Sequence, residues 1–464
     1  MVLSLQNSRL FFDLTVRTGN DVFKFLDMIS TIDHRLAKRI CISADTPSSP
    51  LYSSKLNPVC AKFTNSVQIL EISIHSETPL HSVLLALKNS CLNLTKLRLL
   101  CQFDSPDWES QIIWLSQIKV FGSENYEEFL QEELPQKPNL TLFSVRSNHV
   151  TQFVTNFTRQ VINASPNLRE LTLPWKVYPD LANSKCIKSL TIELQPGDVF
   201  QVNIDHSHFS RMMNQVCDQL VKLSFVDKGE MRSHNFRAPN PPGFQLPRNM
   251  SKLEVIRNEI TDIFHCDDHF KDIGDLSNLR TLVFGTTNIW VDEILQNLFH
   301  TNKILAHVKN LGLIELHDPA VLEELAKTFP NLGRLQLETC REFCEHVCDN
   351  EFGDFLKSCG SFKRLNHLTL THPIYPRKIV DFIKPFFELL QSCEGLKTLH
   401  VETYGTYLVT YGPTMDEIDL FNQLLMAFDA MDHVALLNVY FGLEAMQIMR
   451  PLVESNKISV TKME

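Results

Sequence analysis

The stretch FPNLGRLQLETC, residues 329–340, carries the pattern that decides the fold. Leu332, Leu335 and Leu337 follow one another in the spacing L-x-x-L-x-L, and Cys340 stands three residues after the last leucine. Apolar and polar residues that alternate in this way are typical of a strand with one buried face. The stretch therefore predicts a short strand whose leucines point into a core.

The same pattern recurs along the whole chain of 464 residues. Clear copies are LTKLRL from Leu94, LRELTL from Leu168 and LNHLTL from Leu365. The central apolar residues of the sixteen copies are Leu14, Ile40, Leu70, Leu97, Ile118, Phe143, Leu171, Leu190, Leu223, Leu253, Leu282, Leu311, Leu335, Leu368, Leu399 and Leu437. Their mean spacing is about 28 residues, a period that indicates repeats of one strand and one helix.

Helical patterns lie between the predicted strands. In HDPAVLEELAKTFPNL (317–332), Asp318 is a candidate N-cap and Pro319 a candidate first helical residue. Helices are also predicted at 21–30, 291–299 and 419–428. Since no single strand–helix unit can bury its own apolar face, the units must stack. The sequence predicts one continuous solenoid over residues 1–464.

The phrases SPNLRELTL (165–173) and FPNLGRLQL (329–337) carry a family resemblance. The chain resembles leucine-rich repeat proteins of the ribonuclease-inhibitor-like class, and especially the repeat region of F-box/leucine-rich-repeat proteins. The resemblance implies an α/β solenoid shaped as a curved horseshoe, with parallel strands inside, helices outside and about 16 repeats. It also implies that Asn148, Asn258 and Cys340 occupy the family's Asn/Cys position, where a side chain can bond to backbone left free as the strand turns away.

An F-box module opening with a Leu-Pro phrase is not evident in residues 1–50, where FFDLTV and AKRICI form two weak repeat copies. Binding of the F-box adaptor therefore stays open. The formal charge of −10 argues against nucleic acid as a partner, and no apolar run is long enough to cross a membrane. No secretory signal is evident, so the twelve cysteines are expected to be reduced and the chain to be cytoplasmic or nuclear.

Two clusters contain residues that can bind metal ions. Cys340, Cys344, His346 and Cys348 lie close together, and HCDDH occupies residues 265–269. Their spacing matches no zinc finger or ribbon, and Cys340 fits the repeat, so packing and a solvated loop are favoured over metal. No phosphate-binding glycine loop, nucleophile elbow or HExxH motif occurs. The sequence therefore predicts no metal, no cofactor and no enzymatic activity.

Binding residues are predicted on one face of the strands and in two long loops. Positions 3, 5 and 7 of each copy share the concave face, and in the early units they are rich in basic residues: Arg17, Arg39, Lys96, Arg98, Lys119 and Arg146. The loops 227–249 and 403–413 contribute Phe236, Arg237, Tyr404, Tyr407 and Tyr411. Ordinary surface solvation and tolerated insertions are the alternatives. An acidic protein partner is expected.

The predicted function is a non-enzymatic protein-binding scaffold. The resemblance implies a substrate-recognition subunit of cullin-RING ubiquitin ligases. The alternatives are a ribonuclease-inhibitor-type regulatory binder unconnected to ubiquitin, and a secreted recognition domain with glycans on sequons such as Asn93 and Asn139.

Overall fold

The structure of the chain is a computed structural model, and it divides into two compact units, Met1–Met231 and Arg232–Glu464. It describes residues 3–6, 9–12, 27, 30–31, 38–43, 51–75, 78–103, 133–194, 206–227, 247, 249–259, 273–285, 291–339, 352–372, 379–403, 413–437, 443–455 and 459–461.

The first unit consists of a short hairpin, a parallel sheet and helices. The hairpin pairs β1 (Leu3–Gln6) with β2 (Arg9–Phe12) in antiparallel fashion. The sheet contains β3 (Arg39–Ser43), β4 (Ile69–Ile74), β5 (Lys96–Cys101), β6 (Leu142–Ser147), β7 (Glu170–Pro174), β8 (Ser189–Leu194) and β9 (Lys222–Asp227), which pair in chain order and all in parallel. The described helices are α1 (Leu51–Lys62), α2 (Thr78–Asn89), α3 (Gln152–Asn163) and α4 (His206–Val216).

The second unit repeats the same plan. Its parallel strands are β10 (Val255–Asn258), β11 (Thr281–Phe284), β12 (Asn310–Ile314), β13 (Arg334–Glu338), β14 (His367–His372), β15 (Thr398–Thr403), β16 (His433–Leu437) and β17 (Ser459–Thr461). Its described helices are α5 (Val291–His300), α6 (Val321–Thr328), α7 (Phe352–Cys359), α8 (Ile379–Ser392), α9 (Met415–Asp429) and α10 (Leu443–Ser455). Parallel strands joined by helices confirm a solenoid-like α/β architecture.

The pairing register confirms most of the predicted repeat frame. In the first unit Ile40, Leu70, Leu97, Phe143, Leu171, Leu190 and Leu223 lie opposite one another on successive strands. In the second unit Leu282, Leu311, Leu335, Leu368 and Leu399 do the same. These side chains are all buried, so the repeated apolar residues form the core beneath each sheet.

Four of the predicted copies are wrong. The copy centred on Ile118 was expected to supply a strand between those of Leu97 and Phe143, but β5 pairs directly with β6. FFDLTV was expected to start the parallel array, but Phe11 and Phe12 belong to the antiparallel β2. In the copies at 250–255 and 434–439 the frame is three residues off, since Ile256 pairs with Leu282, and Val434 with Leu399. The frame of the copy at 250–255 is ambiguous in the sequence, because Met250, Leu253 and Ile256 are each three residues apart. Two alignments of the repeat therefore satisfy L-x-x-L equally well.

The corrected frame also moves three polar residues. Asn258 lies opposite Phe284 and is buried in the slot of the last apolar residue, so it does not hold the Asn/Cys position. Lys252 and Glu254 are positions 3 and 5 of the predicted copy at 250–255, and they precede β10, so they do not belong to the face of this strand. Asn148 behaves as expected: its amide accepts from the Phe103 N–H (2.8 Å) and donates to the Phe103 carbonyl (2.6 Å).

The predicted helices at 291–299 and 419–428 are confirmed within α5 and α9. Thr414 and Glu417 form a capping box at the start of α9. The helix at 317–332 begins later than predicted, at Val321, because the Asp318 carboxylate accepts from the Ala320 N–H (2.9 Å) and closes a turn before the helix. The helix predicted at 21–30 falls almost entirely outside the described residues.

An asparagine before the first leucine of a repeat joins neighbouring repeats. Asn93, Asn167, Asn278 and Asn331 each donate a side-chain N–H to a backbone carbonyl of the preceding repeat, at 2.6–2.9 Å. Asn331 also accepts from Arg364 at 2.6 Å, so its amide bonds in both directions. This ladder explains why Asn-Leu recurs, since the amide satisfies carbonyls that the strands leave free.

Replacing Asn331 by alanine should lower the free energy of unfolding of the second unit by about 1–2 kcal/mol, because two hydrogen bonds are lost. Asn278→Ala removes one such bond and should cost less. Urea denaturation measures both values. If both variants are as stable as the wild type, the ladder does not contribute to cohesion between repeats.

Candidate binding face on the first unit

The candidate site lies on the exposed side of the parallel strands of the first unit. Along β5 the side chains alternate, with Leu97 and Leu99 buried, and Lys96 and Arg98 exposed. The equivalent residue of every strand lies on the same side, since the register has no slip. We call this side the groove face, and its central row is Cys41, Glu71, Arg98, Ser144, Thr172, Thr191 and Ser224.

A groove of about 600 Å³ runs over this face. Its lining combines apolar residues such as Ile42 and Leu100 with charged and hydroxyl side chains, among them Glu71, Arg98, Ser144, Arg146, Thr172 and Lys222. The hydroxyl groups of Ser144, Thr172 and Thr191 occur on three successive strands, and each can donate and accept a hydrogen bond. The groove can therefore bind a polar segment.

Glu71 on β4 holds two arginines in place. Its carboxylate contacts Arg39 Nη2 on β3 and Arg98 Nη1 on β5, both at 2.7 Å. Cys41 Sγ also donates to it, at 3.2 Å. Burial alone would raise the pKa of Glu71, but the hydrogen bonds from Arg39 and Cys41 and the charges of both arginines outweigh burial, so its pKa is lowered. Glu71 is therefore a fixed anion between two cations.

A second ion pair spans three strands. Arg146 Nε on β6 lies 2.9 Å from the carboxylate of Glu193 on β8, and only 3% of the Glu193 side chain is exposed. The intervening strand β7 places Pro174 opposite Glu193. Because the proline side chain is short, Arg146 can reach over it. The pair therefore partly neutralises the buried carboxylate of Glu193.

The structure brings four of the predicted binding residues together: Arg39, Lys96, Arg98 and Arg146 lie within the four strands β3 to β6. The other seven, Arg17, Lys119, Phe236, Arg237, Tyr404, Tyr407 and Tyr411, lie outside the described residues. The same is true of most of the loops at 227–249 and 403–413.

The arginines of the groove face do not stand as unpaired like charges. Arg39, Arg98 and Arg146 each contact a carboxylate. The repeat pattern does not indicate that Arg146 reaches Glu193, two strands away. The ion pair depends on the order of the strands β6, β7 and β8 and on Pro174, which lies between the two charged residues. Both become visible only when the pairing register of the strands is known.

The two clusters of candidate metal ligands cannot be compared with the structure. The clusters at 340–348 and 265–269 lie outside the described residues, so the preference for repeat packing over metal stays a prediction. Among the residues that the structure does describe, no group of three His, Cys, Asp or Glu side chains could hold a metal ion. Within these same ranges eight cysteines form no disulfide, and most of them are buried.

Comparison with known proteins adds no family assignment. No protein-family model matches the chain, and none of the curated proteins matches it significantly. Within the described ranges no helix combines the length and the apolar character needed to cross a membrane.

Proposed function

We propose that the chain is a non-enzymatic scaffold that binds a protein partner on the groove face of its first unit. In this proposal the repeats form a curved horseshoe of about 16 units. The observation that supports it best is the groove itself, where charged and hydroxyl side chains from successive strands line one continuous surface. A surface on paired strands loses little conformational entropy on binding, which favours affinity.

The ion pairs give a second reason. Arg98 and Arg146 are about half exposed, at 52% and 48%, yet each is held by a carboxylate at less than 3 Å. Arginine side chains fixed in this way are common anchors of protein interfaces, since their rotamer freedom is already restricted. These ion pairs support a role of the two arginines as contacts with a partner.

The narrower proposal is a substrate-recognition subunit related to F-box/leucine-rich-repeat proteins of cullin-RING ubiquitin ligases. It rests on the resemblance of the repeats alone. The alternative is a ribonuclease-inhibitor-type regulatory binder unconnected to ubiquitin. Binding of the F-box adaptor distinguishes the two proposals, because only the substrate-recognition subunit must bind it.

Site-specific photo-cross-linking tests the proposal. A photoreactive residue at Lys96 or Thr172, both on the groove face, should cross-link a partner protein in an extract of the source cells. The matched position Arg159, exposed on helix α3, should not. Excess unlabelled chain should compete the cross-link away. A partner that cross-links from Arg159 alone would place binding elsewhere and contradict the proposal.

A further inference from the structure

The exposed charge over β3 to β6 is positive although carboxylates are present. The side chains of Arg39, Arg98 and Arg146 are 39–52% exposed, whereas the Glu71 and Glu193 side chains beneath them are 19% and 3% exposed. Lys96 is exposed as well, and it has no carboxylate partner within the described ranges. A molecule that approaches this side of the strands therefore meets the cations first.

These cations have a spacing that suits an extended peptide. Lys96 and Arg98 are two residues apart on β5, which is about 6.6 Å, the same step as alternate side chains of an extended chain. Arg98 lies opposite Ser144 on β6, and Arg146 follows two residues later. We call Arg39, Lys96, Arg98 and Arg146 the cationic strip.

The floor beside the strip provides neutral hydrogen-bonding groups. Ser144, Thr172 and Thr191 continue the central row away from Arg98, and all three line the groove. Hydroxyl groups there can bond to the backbone of a peptide whose acidic side chains contact the strip. The exposed Glu170 on β7 interrupts the positive charge, which disfavours the closely spaced phosphates of a nucleic-acid duplex.

We infer that the cationic strip binds an acidic segment of the partner protein, an extended run rich in Asp and Glu side chains. The inference rests on the proposed function and names the chemistry of its ligand. Binding of this kind falls with increasing salt, because exposed charges are screened within about 10 Å at 0.1 M ionic strength.

Fluorescence anisotropy with model peptides tests the inference. The probes are labelled 12-residue peptides of glutamate, of lysine and of alternating glycine and serine, together with a 12-nucleotide single-stranded DNA. The glutamate peptide should bind tightest, and its affinity should fall at least tenfold between 20 and 200 mM salt. Stronger binding of the DNA or of the neutral peptide would overturn the inference.

Variants of Lys96 locate the binding. Lys96→Gln removes one positive charge and Lys96→Glu reverses it, so the affinity for the glutamate peptide should fall in two steps, about threefold and at least tenfold. The matched control Lys185→Glu makes the same charge change in an exposed turn, outside the strands that form the groove face. It should change the affinity less than twofold.

Equal losses in Lys96→Glu and Lys185→Glu would show that only net charge matters, and would overturn the assignment to the strip. Failure of the acidic-ligand inference can be distinguished from failure of the proposed function. If Lys96 cross-links a partner but the glutamate peptide does not bind at low salt, the scaffold proposal stands and the acidic ligand is wrong.

Discussion

The Leu335→Ala variant should lose about 2–5 kcal/mol of unfolding free energy in the second unit. Leu335 is 0% exposed and pairs in register between Leu311 on β12 and Leu368 on β14. A smaller residue there leaves a cavity between two neighbouring repeats, and rigid strands on both sides limit the collapse that would fill it.

Urea denaturation of Leu335→Ala measures this loss against a control on the same strand. Gln336→Ala changes the exposed neighbour, and its effect should stay within about 0.5 kcal/mol. Leu171→Ala should repeat the large loss in the first unit, since Leu171 holds the equivalent place between Phe143 and Leu190. Losses below about 0.5 kcal/mol at both leucines would contradict the stacked-repeat core.

Acidification should destabilise the second unit through His372, at the end of β14. The ring is buried between Phe352 and Phe355, at centroid distances of 5.8 and 5.3 Å, and Nδ1 lies 2.6 Å from the Thr339 hydroxyl. Burial lowers the pKa of His372 to about 4 from an ordinary value of 6.5. The neutral ring, which can accept from Thr339, is therefore the form that fits the folded state.

The direction of the pH effect follows from this depressed pKa. Between pH 6.5 and 4 the unfolded chain binds a proton at this residue and the folded chain does not, so stability falls as the pH is lowered. The contribution is fully present above pH 6.5, and its loss approaches roughly 3 kcal/mol near pH 4.

The measurement is the urea unfolding free energy at several pH values from 7 to 4.5, each relative to the value at pH 7. His372→Gln removes the titrating ring and should show a shallower decline than the wild type over this range. If the two declines coincide, His372 is not the group that couples protonation to unfolding.

The strands could be predicted from the sequence because one residue pattern is repeated with little variation. Where Leu, Ile or Phe fills all three apolar positions, as around Leu282 and Leu335, the frame and the register were both right. Where apolar residues recur every third position, as at Met250, Leu253 and Ile256, local sequence does not choose the frame. The neighbouring strand then decides, and it places Asn258 opposite Phe284.

The candidate site was only partly predictable. Its face follows from alternation along each strand, so Lys96 and Arg98 could be assigned to it directly. The ion pairs could not be predicted, because they depend on contacts between residues of different strands. They also determine which basic residue can be substituted in a binding test without disturbing a neighbouring carboxylate. Reversing Arg98 would place two carboxylates together at Glu71, whereas Lys96 can be changed without breaking a described ion pair.

The rate at which the cross-linked partner associates is the most direct test of binding through the groove face. Stopped-flow or surface-based kinetics would compare the wild type, Lys96→Glu and Lys185→Glu at 20 to 200 mM salt. Electrostatic contacts chiefly affect the association rate, so Lys96→Glu should slow association at low salt and flatten its salt dependence, with an unchanged thermal midpoint. Identical association rates and salt dependences in all three proteins would contradict the account, and the loops at 227–249 and 403–413 would become the better candidates.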